Sequence, residues 1–283
     1  MRSSDADPYT QAEASLKDSL IKQGCTVRAM TAKEASDKGI DSSIGRPIGV
    51  VAIGTPAARW LHRHLPADVK LVYCMVTGPE EAGLLEGHDV WGVTTEVPIS
   101  EQFKLIAEAI PRVRSIGVLY QSDTPLGLAM LARIRSSLPA DWRCEPVAVN
   151  EFPSVSDAIE SLVSKRIDLI WTAPDAKLFD TAAVRSLLLS SVRKKIPVWG
   201  FSPQFVRAGA LLGIGVEPQA QGRQAADLLI AILADRNATH DKPRARGPDG
   251  FQIAVNLLVA RQLDIEMPES ISRRATFVYR PER

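Results

Sequence analysis

In this 283-residue sequence the residues equipped for chemistry sit where short apolar runs stop. The stretch "IGVVAIGTPAARWL" breaks at Gly54-Thr55-Pro56, and "VYCMVTGPEEAG" breaks at Thr77-Gly78-Pro79. Further breaks fall at Tyr120, Gln121 and Asp123, at Ala173–Asp175, and at Phe201–Ser202. These positions supply hydroxyls, carboxylates and aromatic rings, with no histidine and no cysteine among them. Such a set is poorly suited to proton transfer and well suited to holding a polar solute or zwitterion.

Each position has two readings. Thr55 and the first-turn N–H groups behind it could receive an anionic group, a charge-assisted bond being worth about 1.5–3 kcal/mol. The same residues also spell an ordinary helix start, with Thr55 as N-cap and Pro56 at the first helical position. Thr77 repeats that ambiguity, since Glu80-Glu81 suits a helix N-terminus. Asp175 and Asp123 could pair with a ligand ammonium or cap a helix. Trp171 and Trp199 read as core residues, whereas Phe201 lies closer to an opening and could cover an apolar ligand face.

Enzyme signatures are missing. "GIGVEP" has Pro218 where a dinucleotide fingerprint needs its third glycine, and neither a phosphate-binding G-x-x-x-x-G-K-[ST] loop nor a G-x-S-x-G elbow occurs. His62 and His64 are two apart and point away from each other on a helix. His88 and His240 fall in loops without a ligand-spaced partner. The reading is of a protein that binds without catalysing, and without a cofactor or metal.

The elements that must position these residues follow a regular plan. Strand candidates at Ile48–Ile53, Lys70–Val76, Ser115–Tyr120, Asp168–Thr172, Ile196–Phe201, Ala210–Val216 and Phe251–Val255 are each followed by turn residues and then a helical pattern. That alternation predicts parallel α/β sheets covered on both faces. Helices are expected at Ser100–Ile110, with Ser100 as its cap, along "QAQGRQAADLLIAILADRN", and last at Leu257–Leu263. "ATHDKPRARGPDG" reads as a solvated loop. A faint duplication relates the stretch from Ile48 to Gly83 to that from Ile167 to Gly209, which favours two similar lobes. In open sheets of this kind ligands bind beyond the carboxyl ends of the strands, where the residues above cluster.

Composition bounds the partners. With 34 basic and 33 acidic side chains the formal charge is +1, so no nucleic-acid partner is expected. Apolar runs such as "DLLIAILA" fall far short of the ~20 residues of a membrane span, so no membrane insertion of this chain is expected. Cys25, Cys74 and Cys144 lack metal or redox spacing, and Cys74 reads as core.

Several stretches together resemble the ABC transporter substrate-binding protein family, of the tryptophan/tyrosine-binding type. They are "GVVAIGTPAARW", "VYCMVTGPEEAGLL", "WGVTTEVPISEQFKLIAEAIPRVRSIGVLY", "GALLGIGVEPQAQGRQAADLLIAIL" and "IAVNLLVARQLDIEMP". The resemblance runs from about Pro8 to Pro268. It implies a type I periplasmic-binding-protein fold, with two Rossmann-like three-layer lobes joined by three crossover segments. The crossings would lie near Thr95–Pro98, Leu212–Pro218 and Pro248–Ala254. The first lobe would then comprise 1–97 and about 217–249, the second 98–216 and about 250–283.

By the same resemblance one amino-acid-like solute is clamped between the lobes and passed to an ABC permease outside the cytoplasm. Ser4, Thr55 and Thr77 would face it from the first lobe, and Tyr120, Gln121, Asp123, Asp175, Phe201 and Ser202 from the second. A ligand-sensing domain of a signalling system would use the same fold. The family opens with an apolar strand central to its first sheet, where this sequence has only Met1-Arg2 ahead of the loop containing Ser4. Either a start trimmed in cloning or a compensating first lobe, completed by a partner chain for instance, is expected.

Overall fold

A computed structural model describes residues 1–39, 46–66, 68–80, 82–84, 90–175, 178–234 and 244–280. Glu81, His88 and His240 lie outside the described residues. In chain order the elements are α1 (Asp7–Lys22), α2 (Ala32–Lys38), β1 (Gly49–Ile53), α3 (Thr55–His64), β2 (Lys70–Val76), β3 (Val90–Thr94), α4 (Ile99–Ala109), β4 (Ser115–Tyr120), α5 (Pro125–Ser137) and β5 (Arg143–Ala148). They continue with α6 (Val155–Ser164), β6 (Leu169–Trp171), α7 (Thr181–Lys194), β7 (Val198–Gly200), α8 (Pro203–Ala208), β8 (Leu212–Val216), α9 (Pro218–Ala234), β9 (Ala245–Arg246), β10 (Phe251–Asn256), α10 (Leu257–Gln262), α11 (Glu269–Arg274) and β11 (Phe277–Tyr279). The chain divides into two compact units, Met1–Glu96 with Val216–Phe251, and Val97–Gly215 with Gln252–Arg283.

The first unit is built on a parallel sheet of order β1-β2-β3-β9. Alternation along β2 sorts its side chains between two cores. Val72 and Cys74 join the cluster formed with α1 and α9, while Leu71 and Tyr73 join the one beneath α3. On β1 the same rule sends Val51 and Ile53 to the first cluster and Ala52 to the second. Helices α1 and α9 pack closely at Gly222, where a Cβ would meet the Ala12 carbonyl oxygen and lie 2.5 Å from Ser15 Oγ. Ser15 in turn donates to the Gln219 carbonyl at 2.8 Å.

Residues 1–3 occupy the carboxyl end of the position expected for a first strand. Arg2 bridges Thr31 on one side and Ile53 on the other, both in parallel. Its N–H donates to the Met30 carbonyl (3.0 Å), and the Ser3 N–H donates to the Ile53 carbonyl (2.9 Å). Residues 1–3 are thus wedged between residues 30–32 and β1.

The second unit carries a seven-stranded sheet of order β11-β10-β8-β7-β6-β4-β5. The pairs β4–β5, β4–β6, β6–β7, β7–β8 and β10–β11 are parallel. One core layer gathers Phe103, Ile106, Ile116, Trp171 and Trp199 with α4 and α10; the other gathers Ile159, Leu162, Ile170, Leu187 and Phe205 with α6, α7 and α8.

Three expectations change. Helix α4 begins at Ile99 with Pro98 as its N-cap, so Ser100 is the second helical residue and not the cap. The helix after β10 is not the last element, because α11 and β11 follow it. Strands β3, β5, β9 and β11 were not anticipated, for reasons visible in their composition. β3 carries a central glycine, β5 holds Pro146 and lies at the sheet edge where proline is tolerated, and β9 and β11 are two and three residues long.

Candidate functional site

In the first unit the strand-end residues gather along the carboxyl end of the sheet. Behind β1 the chain turns at Gly54, whose φ of 90° favours glycine. A Cβ there would come within 2.5 Å of Ser3 Oγ and 2.9 Å of the Tyr9 ring. Gly54 is also the N-cap of α3 and has no side chain with which to cap it. The helix-start reading of Thr55 as N-cap is therefore corrected, since Thr55 is the first helical residue and its hydroxyl makes no capping bond. The donor next to it is satisfied by Ser3, whose Oγ accepts from the Ala57 N–H (3.1 Å) and donates to the Ile53 carbonyl (3.0 Å). Ser4 is exposed and accepts a long hydrogen bond from the Ala6 N–H (3.4 Å).

Thr77 is exposed in the turn after β2, next to Gly78 with φ 61°. The segment that follows is a set of turns, with the Ala82 N–H donating to the Gly78 carbonyl (2.9 Å) and the Leu84 N–H to the Pro79 carbonyl (3.0 Å). No helix starts there among the described residues, which corrects that reading of Glu80. The turn is tied to the end of β3 by Thr95 Oγ1, which donates to the Val76 carbonyl (3.2 Å).

In the second unit the strand ends place Tyr120 and Gln121 half-buried and Asp123 exposed. The cap of α5 is Thr124, which accepts from the Gly127 N–H at 3.0 Å, so the cap assignment for Asp123 is corrected. Tyr120 lines a surface hollow of about 170 Å³ with Ala148, Glu151, Phe152 and Lys165. Asp175 Oδ1 accepts from the Leu178 N–H (3.1 Å), closing a local turn. Ser202 is the N-cap of α8, accepting from the Phe205 N–H (3.2 Å).

Phe201 stacks on Phe205 at 5.0 Å between centroids and lies 6.0 Å from Phe179. Phe179 escaped the sequence reading because it follows no strand directly. Trp171 and Trp199 are core residues, 2% and 0% exposed. Their indole N–H groups both donate to Gln102 Oε1, at 3.1 and 3.0 Å. Gln102 Nε2 donates to the Val97 carbonyl (2.9 Å). Nothing in the local pattern of α4 marks Gln102, because its partners come from β6 and β7.

Among the described residues no group of three or more histidine, cysteine or acidic side chains is arranged to hold a metal ion. Two large electrostatic perturbations lie in β2. Burial raises the Cys74 thiol to about 12. Burial, then Glu80 and Glu96, raise the Tyr73 phenol to about 12. The Tyr73 hydroxyl is buried without a hydrogen-bond partner, an arrangement that costs about 1–3 kcal/mol.

Tyr73→Phe is therefore expected to gain about 1 kcal/mol at pH 8 in urea unfolding. Because the folded pKa is raised from 10 to about 12, the stability tied to the neutral phenol is complete below pH 10 and is lost as pH rises through 12. At pH 11 the advantage of Tyr73→Phe should grow by roughly another 1.4 kcal/mol. An advantage that stays flat with pH would contradict the burial of this phenol.

The fold is that of a protein of two α/β units, each a sheet of parallel strands with helices on both faces and polar turns at its strand ends. A family model described as ABC transporter substrate binding protein matches residues 13–279. The chain belongs to that family. Solved structures agree in fold. A conserved domain protein from Vibrio cholerae is 22% identical, with 98% of this chain and 97% of that one covered and a TM-score of 0.64. An ABC domain in complex with L-Trp from Streptococcus pneumonia is 21% identical, covering 98% of both chains at a TM-score of 0.62. A ligand-free, open substrate-binding protein with adhesive properties from Clostridium difficile is 20% identical, covering 99% and 98% at a TM-score of 0.71. No curated protein matches the chain by sequence. No helix among the described residues is long and apolar enough to cross a membrane.

Proposed function

We propose that this protein is the extracytoplasmic solute receptor of an ABC import system and that its ligand is a small zwitterion of amino-acid type. Family membership over residues 13–279 carries the reading of its role. For the ligand class, support comes from the chemistry of the strand ends and from the L-Trp bound to the streptococcal neighbour. In this reading Thr55 and Thr77, with Ser4, receive the carboxylate through their hydroxyls. Asp175 pairs with the ammonium, and Tyr120 or Phe201 covers the side chain, with Gln121, Asp123 and Ser202 at the rim. The solute-loaded receptor is then handed to a permease. The action is binding, with no bond made or broken.

Thermal unfolding against the twenty amino acids tests this. A true ligand at about 1,000 times its Kd adds about 4.1 kcal/mol of stability. Thr55→Ala and Thr77→Ala should each weaken that ligand roughly tenfold in isothermal titration, the loss of about 1.4 kcal/mol. If none of the twenty moves the transition, the proposed ligand class is wrong.

A further inference from the structure

The ladder between β2 and β3 is interrupted close to Thr77. Tyr73 pairs with Gly92 and Val76 with Thr94, so Cys74 and Met75 together oppose Val93 alone. This is a β-bulge, one extra residue on β2. Met75 occupies it with φ 55°, a left-handed conformation that a long unbranched side chain seldom adopts.

The bulge changes which way the strand end faces. Cys74 and Met75 both pack toward the α1/α9 core, and Tyr73 and Val76 both toward the α3 core. Strict alternation would have put Val76 with Cys74. Val76, the last residue of β2, therefore faces the side opposite to the one an uninterrupted strand would give it, and the turn at Thr77 starts from that flipped end.

The broken rung is closed by one side chain from α9. Gln221 Oε1 accepts from the Met75 N–H at 3.0 Å, and Gln221 Nε2 donates to the Thr94 carbonyl at 3.0 Å. Gln221 is 1% exposed. Its amide thereby links the Met75 N–H of β2 to the Thr94 carbonyl of β3 across the bulge. A left-handed non-glycine residue persists only where its surroundings over-determine it, and this amide does so here.

We propose that Gln221 is a positioning residue for the ligand turn: by bridging Met75 and Thr94 it holds the bulge that aims Thr77 and Gly78. This rests on the reading of Thr77 as a ligand group. Gln221→Leu removes both hydrogen bonds at nearly constant volume. Met75→Gly in that background lets the left-handed conformation form without the amide, at the expense of Met75 packing.

Two readouts separate the bulge from the ligand assignment. The first is the isothermal-titration affinity for whichever of the twenty amino acids binds the wild type. The second is the amide resonances of Thr77 and Gly78, with hydrogen-exchange protection at Met75, recorded without any solute. Gln221→Leu should weaken binding at least tenfold, shift the Thr77 and Gly78 resonances and abolish protection at Met75. Gln221→Leu/Met75→Gly should bring affinity to within about threefold of wild type and return the Thr77 and Gly78 resonances, although its melting temperature falls below that of Gln221→Leu. A merely structural glutamine would show affinity falling in step with stability, with no rescue by glycine.

Unmoved resonances in Gln221→Leu, or no return in the double variant, would overturn the proposal. If no amino acid binds the wild type, the ligand reading fails and the resonances still decide the bulge. Should Gln221→Leu not fold, Gln221→Glu, ionised by raising the pH, keeps the acceptor for Met75 and loses the donor to Thr94. It should keep hydrogen-exchange protection at Met75 while displacing the Thr77 and Gly78 resonances; protection lost, or resonances unmoved, would count against the bridge.

Discussion

Gln102→Leu is expected to destabilise the second unit by about 3 kcal/mol. The substitution leaves the indole N–H groups of Trp171 and Trp199 without their shared acceptor, now 3.1 and 3.0 Å away, while both rings stay buried. Each unsatisfied buried donor costs about 1–3 kcal/mol. The Val97 carbonyl also loses its amide donor at the point where the chain enters this unit. Leucine restores apolar volume but cannot offset two stranded donors. Urea unfolding followed by near-ultraviolet circular dichroism of the tryptophans measures the loss. In a Trp199→Phe background, where one donor is gone, the cost of Gln102→Leu should fall by about a third or more, as coupling between contacting residues requires. A cost below 1 kcal/mol in the wild-type background would show that the glutamine does not bear on these indoles.

Gly222 gives the second large effect, and its sign is the informative part. An unconstrained glycine inside a helix is about 1 kcal/mol less favourable than alanine, so Gly→Ala in α9 would ordinarily stabilise. Here a Cβ would run into the Ala12 carbonyl oxygen and lie 2.5 Å from Ser15 Oγ. Backbone oxygen cannot move aside without shifting α1, and overpacking of this kind costs about 1–3 kcal/mol. Gly222→Ala should therefore lose about 2 kcal/mol and Gly222→Val about 3 kcal/mol or more in urea unfolding. The loss belongs to the first unit, because α1 and α9 build its core together. A stabilising Gly222→Ala would mean that the helices have room to separate.

Much of the fold was legible in the sequence because apolar runs and helical periods are local signals. β2 and β4 lie where the sequence reading put them, at Lys70–Val76 and Ser115–Tyr120, and the other strand candidates differ by a few residues at their ends. The turns after these strands were legible too, since Gly and Pro punctuate them. Individual roles within the turns were not. Thr55 and Asp123 carry the residue types of caps, yet Gly54 and Thr124 do the capping, because which residue caps depends on where the backbone enters the helix.

By itself the sequence determined alternating strands and helices, buried parallel strands, near-neutral charge and the polar residue types at the strand ends. Each follows from the order of side chains along a few consecutive residues. The tertiary structure alone decided that residues 1–3 complete a rung beside β1, that Gln102 serves two indoles, and that Gln221 bridges a bulge that turns the end of β2 over. These depend on partners far away in the chain, and an amide side chain reads alike wherever its hydrogen bonds go. What a buried glutamine does is set by which unpaired backbone or ring group the fold brings within about 3 Å of it.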